Sequence, residues 1–197
     1  MRVVLDWDGT VTEVDGLHLV LEEFGDARIY DEAERRLGRG LTLHQVIAWE
    51  FRSVRAPLAE VVEWVLANVR VRAGFAAFAR EHRPLVVSSG FHELIEPVLA
   101  REGVELEVRA NRLDPRLDGW IARFRNEDPC PVCGEVCKRA DVAGLDGFVY
   151  AGDGFSDRCV ALAASRVFAR DGLARYLEAR GMAFEPFDDF RDLARAL

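Results

Sequence analysis

The stretch Arg2-Val-Val-Leu-Asp6-Trp-Asp8-Gly9-Thr10-Val-Thr12 limits the possible folds more than any other part of the chain. Val3, Val4 and Leu5 form a short apolar run that reads as a buried strand, and two carboxylates stand where it ends, with Gly9-Thr10 breaking the pattern behind them. In an open α/β sheet, ligands sit just beyond the carboxyl ends of the strands. Asp6 and Asp8 are two residues apart, so in an extended chain their side chains share a face and repel. A divalent cation would relieve that repulsion, since Mg²⁺ favours one or two carboxylates together with a substrate phosphate. An ordinary Asp-Gly turn would look the same in isolation, so the meaning of this stretch depends on the other strand ends of the chain.

Composition sets the bounds. With 197 residues, 50% of them hydrophobic and 30% charged, the chain can bury one sizeable core and carry a small second domain. A net charge of -8 argues against nucleic-acid binding, because phosphate backbones are held by basic surfaces. No apolar run approaches a membrane span, and the first strand begins at residue 2 with no signal-peptide core before it, so the expectation is a soluble cytoplasmic protein with no membrane partner. Among 26 basic residues, 25 are arginine and one is lysine, Lys138. A chain that avoids lysine and keeps one has a reason to be asked for.

From residue 16 to 71 there is no convincing strand. Leu17, Leu19, Val20, Leu21 and Phe24 suggest one helix, and Leu41, Val46, Ile47, Trp49 and Phe51 another, with Thr42 as its N-cap. After Pro57, the apolar positions from Leu58 to Val69 follow the spacing of an amphipathic helix. Trp49 and Trp64 read as core residues of this helical insert. The α/β rhythm resumes at Gly74, with a helix through Phe75 and Phe78 and a strand over Pro84–Val87. Ser88-Ser89-Gly90 then precedes a further helix, a combination that gathers hydroxyls and free N–H groups into a natural anion site. Val104–Val108 and Trp120–Phe124, with Asp118-Gly119 between them, predict a hairpin or a short strand pair.

Cys130-Pro-Val-Cys133-Gly-Glu-Val-Cys137 is followed by only one more cysteine, Cys159. Free thiols in a loop, a zinc site and a redox pair are all compatible with the spacing. A closed zinc site needs four ligands, the last from Cys159 or a histidine. Lys138 comes next and opens a predicted helix through Val142 and Leu145. Gly147–Ala151 is a short apolar strand ending in Gly152-Asp153-Gly154, with Asp157 four residues beyond the first Asp. Val167–Ala169 is a further strand, Leu173–Leu177 a helix, Phe184–Phe187 an edge segment, and residues 188–197 a terminal helix.

D-x-D-G-T at residues 6–10, a serine at a strand end at 88, a lysine at 138 and G-D-G-x-x-D at residues 152–157, in that order, resemble the haloacid dehalogenase superfamily of phosphotransferases. The resemblance covers the whole chain. It implies an α/β fold with a doubly wound, mostly parallel sheet, a catalytic core of residues 1–15 and 72–197, and a helical cap of residues 16–71 like the C1 cap of the phosphoserine-phosphatase-like branch. It further implies an aspartyl-phosphate on Asp6, with Asp8 protonating the leaving oxygen and then activating water, and Thr10 orienting that loop. Ser88, Ser89, Gly90 and Lys138 would bind the phosphoryl group. Mg²⁺ would be held by Asp6, the backbone carbonyl of Asp8 and Asp153, with Asp157 direct or through water.

Within that branch, Asp15, Val87-Ser-Ser-Gly90, Ala110-Asn111, Cys137-Lys138 and Phe168–Tyr176 are similar to the group that acts on 2-hydroxy-3-keto-5-methylthiopentenyl-1-phosphate. Phosphatases of phosphoserine, phosphocholine, phosphoethanolamine and pyridoxal phosphate share parts of the pattern. The expected partner is therefore a small phosphorylated metabolite. The non-enzymatic readings are a regulatory module on the same fold and a zinc-dependent interaction protein built on Cys130, Cys133, Cys137 and Cys159.

Overall fold

The computed structural model describes residues 1–197. Seven strands make one sheet: β1 (Arg2–Leu5), β2 (Leu85–Phe91), β3 (Val108–Asp114), β4 (Ile121–Arg123), β5 (Phe148–Gly152), β6 (Arg166–Ala169) and β7 (Glu185–Pro186), in the spatial order β4-β3-β2-β1-β5-β6-β7. All neighbours are parallel except β4, which runs antiparallel to β3 at the edge. The α/β expectation with a mostly parallel sheet holds.

Alternation along the strands divides the core into two layers. Val3, Leu5, Val86, Val149 and Ala151 face one layer. Val4, Leu85, Val87, Tyr150, Val167 and Ala169 face the other. Because β1 lies between β2 and β5, the chain first extends the sheet on one side of β1 and then crosses to the other. The reversal leaves a crevice at the carboxyl ends of β1 and β5.

Between β1 and β2 lie α1 (Gly16–Phe24), α2 (Ala27–Arg36), α3 (Leu43–Phe51), α4 (Leu58–Asn68) and α5 (Phe75–His82). Thr42 caps α3 as expected, in a reciprocal capping box with Gln45. Of these five helices, the one missing from the sequence reading is α2: its sequence, ARIYDEAERR, buries only Ala33, so it has no apolar stripe to detect. The chain leaves and returns at one place. Thr12 and Val71 form an antiparallel bridge, with Glu13 N–H on Arg70 O at 3.0 Å and Arg72 N–H on Val11 O at 2.8 Å. Trp64 packs edge-on against Phe24 beside the core, and Trp49 is half-buried with Arg36 over its ring.

After β2 come α6 (His92–Arg101), α7 (Arg158–Ala161), α8 (Asp171–Glu178) and α9 (Phe190–Ala196). Three boundaries differ from expectation. β2 does not stop before Ser88: it continues to Phe91 with a register irregularity against β3 between Val87 and Phe91, so the serines lie inside a bulged strand. The hairpin exists, but its first strand is Val108–Asp114, because Val104–Glu107 only leads into the sheet. Lys138–Val142 is a single 3-10 turn, since the chain reaches Gly144 and Gly147, both at positive φ, before a helix can lengthen.

Candidate active site

Asp6 follows β1 directly, its N–H bonded to Ala151 O at 2.9 Å, which locks it beside the end of β5. Lys138, on its 3-10 turn, donates to Asp6 Oδ1 and to Asp157 Oδ1, the latter at 2.7 Å. Asp157 is fully buried and saturated. Its Oδ1 also accepts from Tyr150 Oη at 2.6 Å, and its Oδ2 from the backbone N–H groups of Asp153 and Gly154, both at 2.9 Å. Thr10 Oγ1 donates to Asp153 Oδ1 at 3.2 Å. Carboxylate oxygens of Asp6, Asp153 and Asp157 lie within 4.8 Å of one another.

Asp8 goes elsewhere. Its Oδ1 accepts from Gly16 N–H at 3.1 Å and its Oδ2 from Ser88 Oγ at 3.4 Å, so the turn that begins at Trp7 separates it from the Asp6 group and the same-face repulsion expected of an extended chain does not arise. Ser88 Oγ in turn accepts from Gly90 N–H at 2.8 Å. Ser89 and Gly90 line a cavity of about 250 Å³ that also reaches Asp6, Asp8 and Asp153. Gly9 is required here: its φ is +73°, and a Cβ on it would stand 2.4 Å from Asp153 Oδ2.

Burial governs the electrostatics. It raises the Asp8 carboxyl to about 8, helped by the nearby charge of Asp15. Burial, then Asp157, likewise push Asp6 well above the usual carboxylate range, with Lys138 pulling the other way, and burial with Asp157 raises Asp153 to about 6. Burial alone would lower Lys138, but Asp157 and Asp6 together hold it above its ordinary value. For Asp157 burial is again the largest influence, yet Lys138 and the Gly154 N–H outweigh it and keep this carboxyl low.

A second cluster adjoins this one. Cys130 and Cys159 are buried, Cys137 half-buried and Cys133 exposed; all four are free thiols, and their sulfurs lie within 4.8 Å of one another. Cys159 is the fourth member, brought in by α7. Cys137 directly precedes Lys138, and Cys159 lies two residues beyond Asp157.

A sequence profile of the haloacid dehalogenase-like hydrolases matches residues 3–162. The chain belongs to this family. Among its relatives within the haloacid dehalogenase-like hydrolases, a Bacillus cereus protein named 2-hydroxy-3-keto-5-methylthiopentenyl-1-phosphate phosphatase is 23% identical over 209 residues, spanning 100% of this chain and 95% of the relative. An Exiguobacterium protein of the same name is 28% identical over 208 residues, covering 98% and 95%. In fold, the chain is similar to a solved phosphoserine phosphatase described as a phospho-aspartyl intermediate analogue, with a TM-score of 0.74 at 17% identity and coverage of 100% and 98%. A substrate-bound phosphoserine phosphatase gives a TM-score of 0.74 at 16% identity, with the same coverage.

Two side chains that shape this hydrolase site escape a sequence reading. Tyr150 looks like one more apolar position of β5, and only its hydroxyl's reach to Asp157 sets it apart. Arg72, one arginine among many, donates to the carbonyls of Gly9, Thr10, Thr12, Glu13 and Asp188, and so holds the loop after β1.

Proposed function

We propose that this hydrolase is a Mg²⁺-dependent phosphomonoesterase acting on a small phosphorylated metabolite through an aspartyl-phosphate on Asp6. The observation that carries the reading is the buried assembly of Asp6, Asp153 and Asp157 around the chain's single lysine. Three carboxylates against one ammonium leave two negative charges uncompensated, and a hard divalent cation suits that donor set. Asp6 and Asp153 would hold it, with the backbone carbonyl of Asp8. Asp157, whose oxygens are already occupied by Lys138, Tyr150 and two N–H groups, would act through a bridging water. Bound there, Mg²⁺ supplies positive charge against the phosphoryl oxygens.

The steps follow from the side chains. A carboxylate oxygen of Asp6 attacks phosphorus, and the ester oxygen leaves with the proton of Asp8, which burial keeps protonated to about pH 8. Asp8, now ionised, takes a proton from water as that water attacks phosphorus and releases Asp6 and inorganic phosphate. Lys138 neutralises charge on Asp6 and on the phosphoryl group, while Ser88, Ser89 and Gly90 bind its oxygens and Thr10 holds the loop against Asp153. Residues 16–71 serve as a cap on the core of residues 1–15 and 72–197, a role supported by Leu17, Ile47 and Glu50 lining the same cavity as Asp6.

The relatives' names make the methionine-salvage enol phosphate one substrate to test, beside phosphoserine, phosphocholine, phosphoethanolamine and pyridoxal phosphate. A screen of these esters with and without Mg²⁺ tests the reading, which fails if none of them, nor 4-nitrophenyl phosphate, releases phosphate.

The cysteine cluster is proposed to hold a structural zinc ion. Four sulfurs at about 2.3 Å from one tetrahedral ion stand about 3.8 Å apart. Cys130–Cys159 and Cys133–Cys137 are separated by 3.8 and 3.6 Å. Val132 N–H donates to Cys130 Sγ at 3.4 Å, and Gly134 at φ +76° turns the chain back toward Cys137, supporting a metal knuckle over a reversible disulfide. Elemental analysis should find one zinc per chain, lost in Cys130→Ser. A metal-free protein purified from zinc-supplemented medium would end this assignment.

A further inference from the structure

From the cavity that opens onto Asp6, we infer that the substrate carries a cationic nitrogen, a primary or quaternary ammonium, which is received by Glu50 with Tyr30, Asp15 and Glu34. This deepens the phosphomonoesterase reading and rests on it for the placement of the phosphate. The cavity of about 250 Å³ has two ends. Asp6, Asp8, Asp153, Ser89 and Gly90 belong to the phosphoryl end, Gly154, Phe155 and Ser156 adjoin it, and Asp15 with side chains of the helical insert makes the rest of the wall.

That wall is acidic without an obvious reason in the fold. Glu50, on α3, is 4% exposed, yet its Oε1 has no hydrogen-bond partner. A buried acceptor left unsatisfied costs about 1–3 kcal/mol, more when charged, so a fold retains one where something else satisfies it. Asp15 and Glu34, both exposed, line the same cavity, and no arginine or lysine does, in a chain with 25 arginines. His18 is the one basic side chain in the wall. Its Nε2 faces Glu22 at 3.2 Å, and its ring lies against Tyr30 with centroids 4.7 Å apart. Burial, with the charges of Glu34 and Asp15, pushes Glu50 up to about 8, as expected of acids crowded without a counter-charge, and an ammonium beside it would supply that counter-charge and return it to the carboxylate.

Carboxylates beside an aromatic face are the chemistry that recognises ammonium groups, through charge-assisted contacts and cation–π attraction. A second anionic group on the substrate would be repelled. Basic groups gather instead in the neighbouring cavity of about 350 Å³, where Arg125 is already paired with Asp141 at 2.7 Å. Phosphorylated amino alcohols therefore fit better than phosphoserine, whose carboxylate would face this wall. They also fit better than the salvage enol phosphate, whose hydroxyl, keto and methylthio groups carry no charge.

The test compares phosphocholine and phosphoethanolamine with a neutral isostere, 3,3-dimethylbutyl phosphate, and with phosphoserine and the enol phosphate. The cationic esters should exceed the neutral isostere in kcat/KM by roughly 10- to 100-fold. Glu50→Gln should bring that ratio to within about threefold, with Glu34→Gln at the exposed rim as a second variant if the buried substitution impairs folding. A neutral ester or phosphoserine turned over as well as the cationic ones, or a ratio unchanged in both variants, would overturn the subsite. If no ester is hydrolysed, the failure belongs to the phosphomonoesterase reading. Calorimetric binding to the Asp6→Asn protein then decides the subsite: tenfold tighter phosphocholine supports it, and equal binding with the isostere overturns it.

Discussion

At the scale of single residues, Asp6 and Lys138 carry the sharpest expectations. On the proposed mechanism, Asp6→Asn would remove the attacking carboxylate but keep the shape, so the variant should fold normally by circular dichroism and show no Mg²⁺-dependent phosphate release. Lys138→Arg tests whether charge alone suffices. A guanidinium directs its donors as a planar fork and needs more room than the buried ammonium between Asp6 and Asp157, where Lys138 is 2% exposed. Misplacing the phosphoryl group by about an ångström can cost about 10²-fold in rate, so kcat of the arginine variant should fall at least that far, and near-normal turnover would take Lys138 out of the mechanism. These residues were legible because their types are rare in context: two acids at the end of an apolar strand, one lysine in a chain of arginines. Glu50 was not legible, since a glutamate in a helix usually faces solvent, and only the packing of α3 buries it. It carries a pH prediction of its own. Burial raises its pKa from 4.5 to about 8, so the folded protein holds a proton that the unfolded chain releases, and stability must fall as pH rises between those values. One pKa unit is about 1.4 kcal/mol, which makes the loss a few kcal/mol. In urea titrations from pH 5 to 9, Glu50→Gln should flatten that decline; an unchanged slope would show that Glu50 does not titrate there.

Among the elements, the loop after β1 is the one most dependent on a distant side chain. Arg72 arrives from beyond the helical insert and donates to five carbonyls, four of them in residues 9–13. Arg72→Ala would leave several of these without a partner. Charge-assisted hydrogen bonds contribute about 1.5–3 kcal/mol each, though not additively, so a loss of about 2–4 kcal/mol in denaturant titration is expected, together with a higher Mg²⁺ requirement because Asp8 and Thr10 lie on that loop. A variant that matches the parent in both would show the loop to be self-supporting. The elements that the sequence revealed are those with a strong period, α3, α4, β1 and β5. The polar helix α2 and the continuation of β2 through Ser88–Phe91 were hidden, the first because its helix is stabilised by caps and ion pairs such as Arg36 with Glu32 at 2.6 Å, the second because Ser-Ser-Gly resembles a turn when its pairing partner, β3, is not known. Cys159 was legible as a candidate fourth sulfur beside the histidines, and its place in the cluster depends on α7 following β5 next to the Lys138 turn.

For the whole molecule, the crevice at the carboxyl ends of β1 and β5 draws together acids from two distant parts of the chain, and the fold tolerates them only in part. Lys138 compensates one of the three charges of Asp6, Asp153 and Asp157, while Tyr150 and two N–H groups secure Asp157 alone. Asp6 and Asp153 remain pushed upward by burial, which means that in the absence of a cation the native state pays in repulsion or in retained protons. A cation that binds the folded crevice and not the unfolded chain must therefore stabilise the entire domain. At a Mg²⁺ concentration about 100 times its dissociation constant the gain is about 2.7 kcal/mol, and for a chain of this length about 1 kcal/mol moves the melting temperature by about 2–4 °C. Thermal melts should accordingly shift upward by about 5–10 °C on replacing chelator with saturating Mg²⁺. Asp153→Asn would remove a proposed ligand and one of the repelling charges at once, so its melting temperature in chelator should equal or exceed that of the parent while its response to Mg²⁺ disappears. If the parent melts at the same temperature with Mg²⁺ and with chelator, the acidic crevice does not bind the ion, whatever the activity measurements suggest.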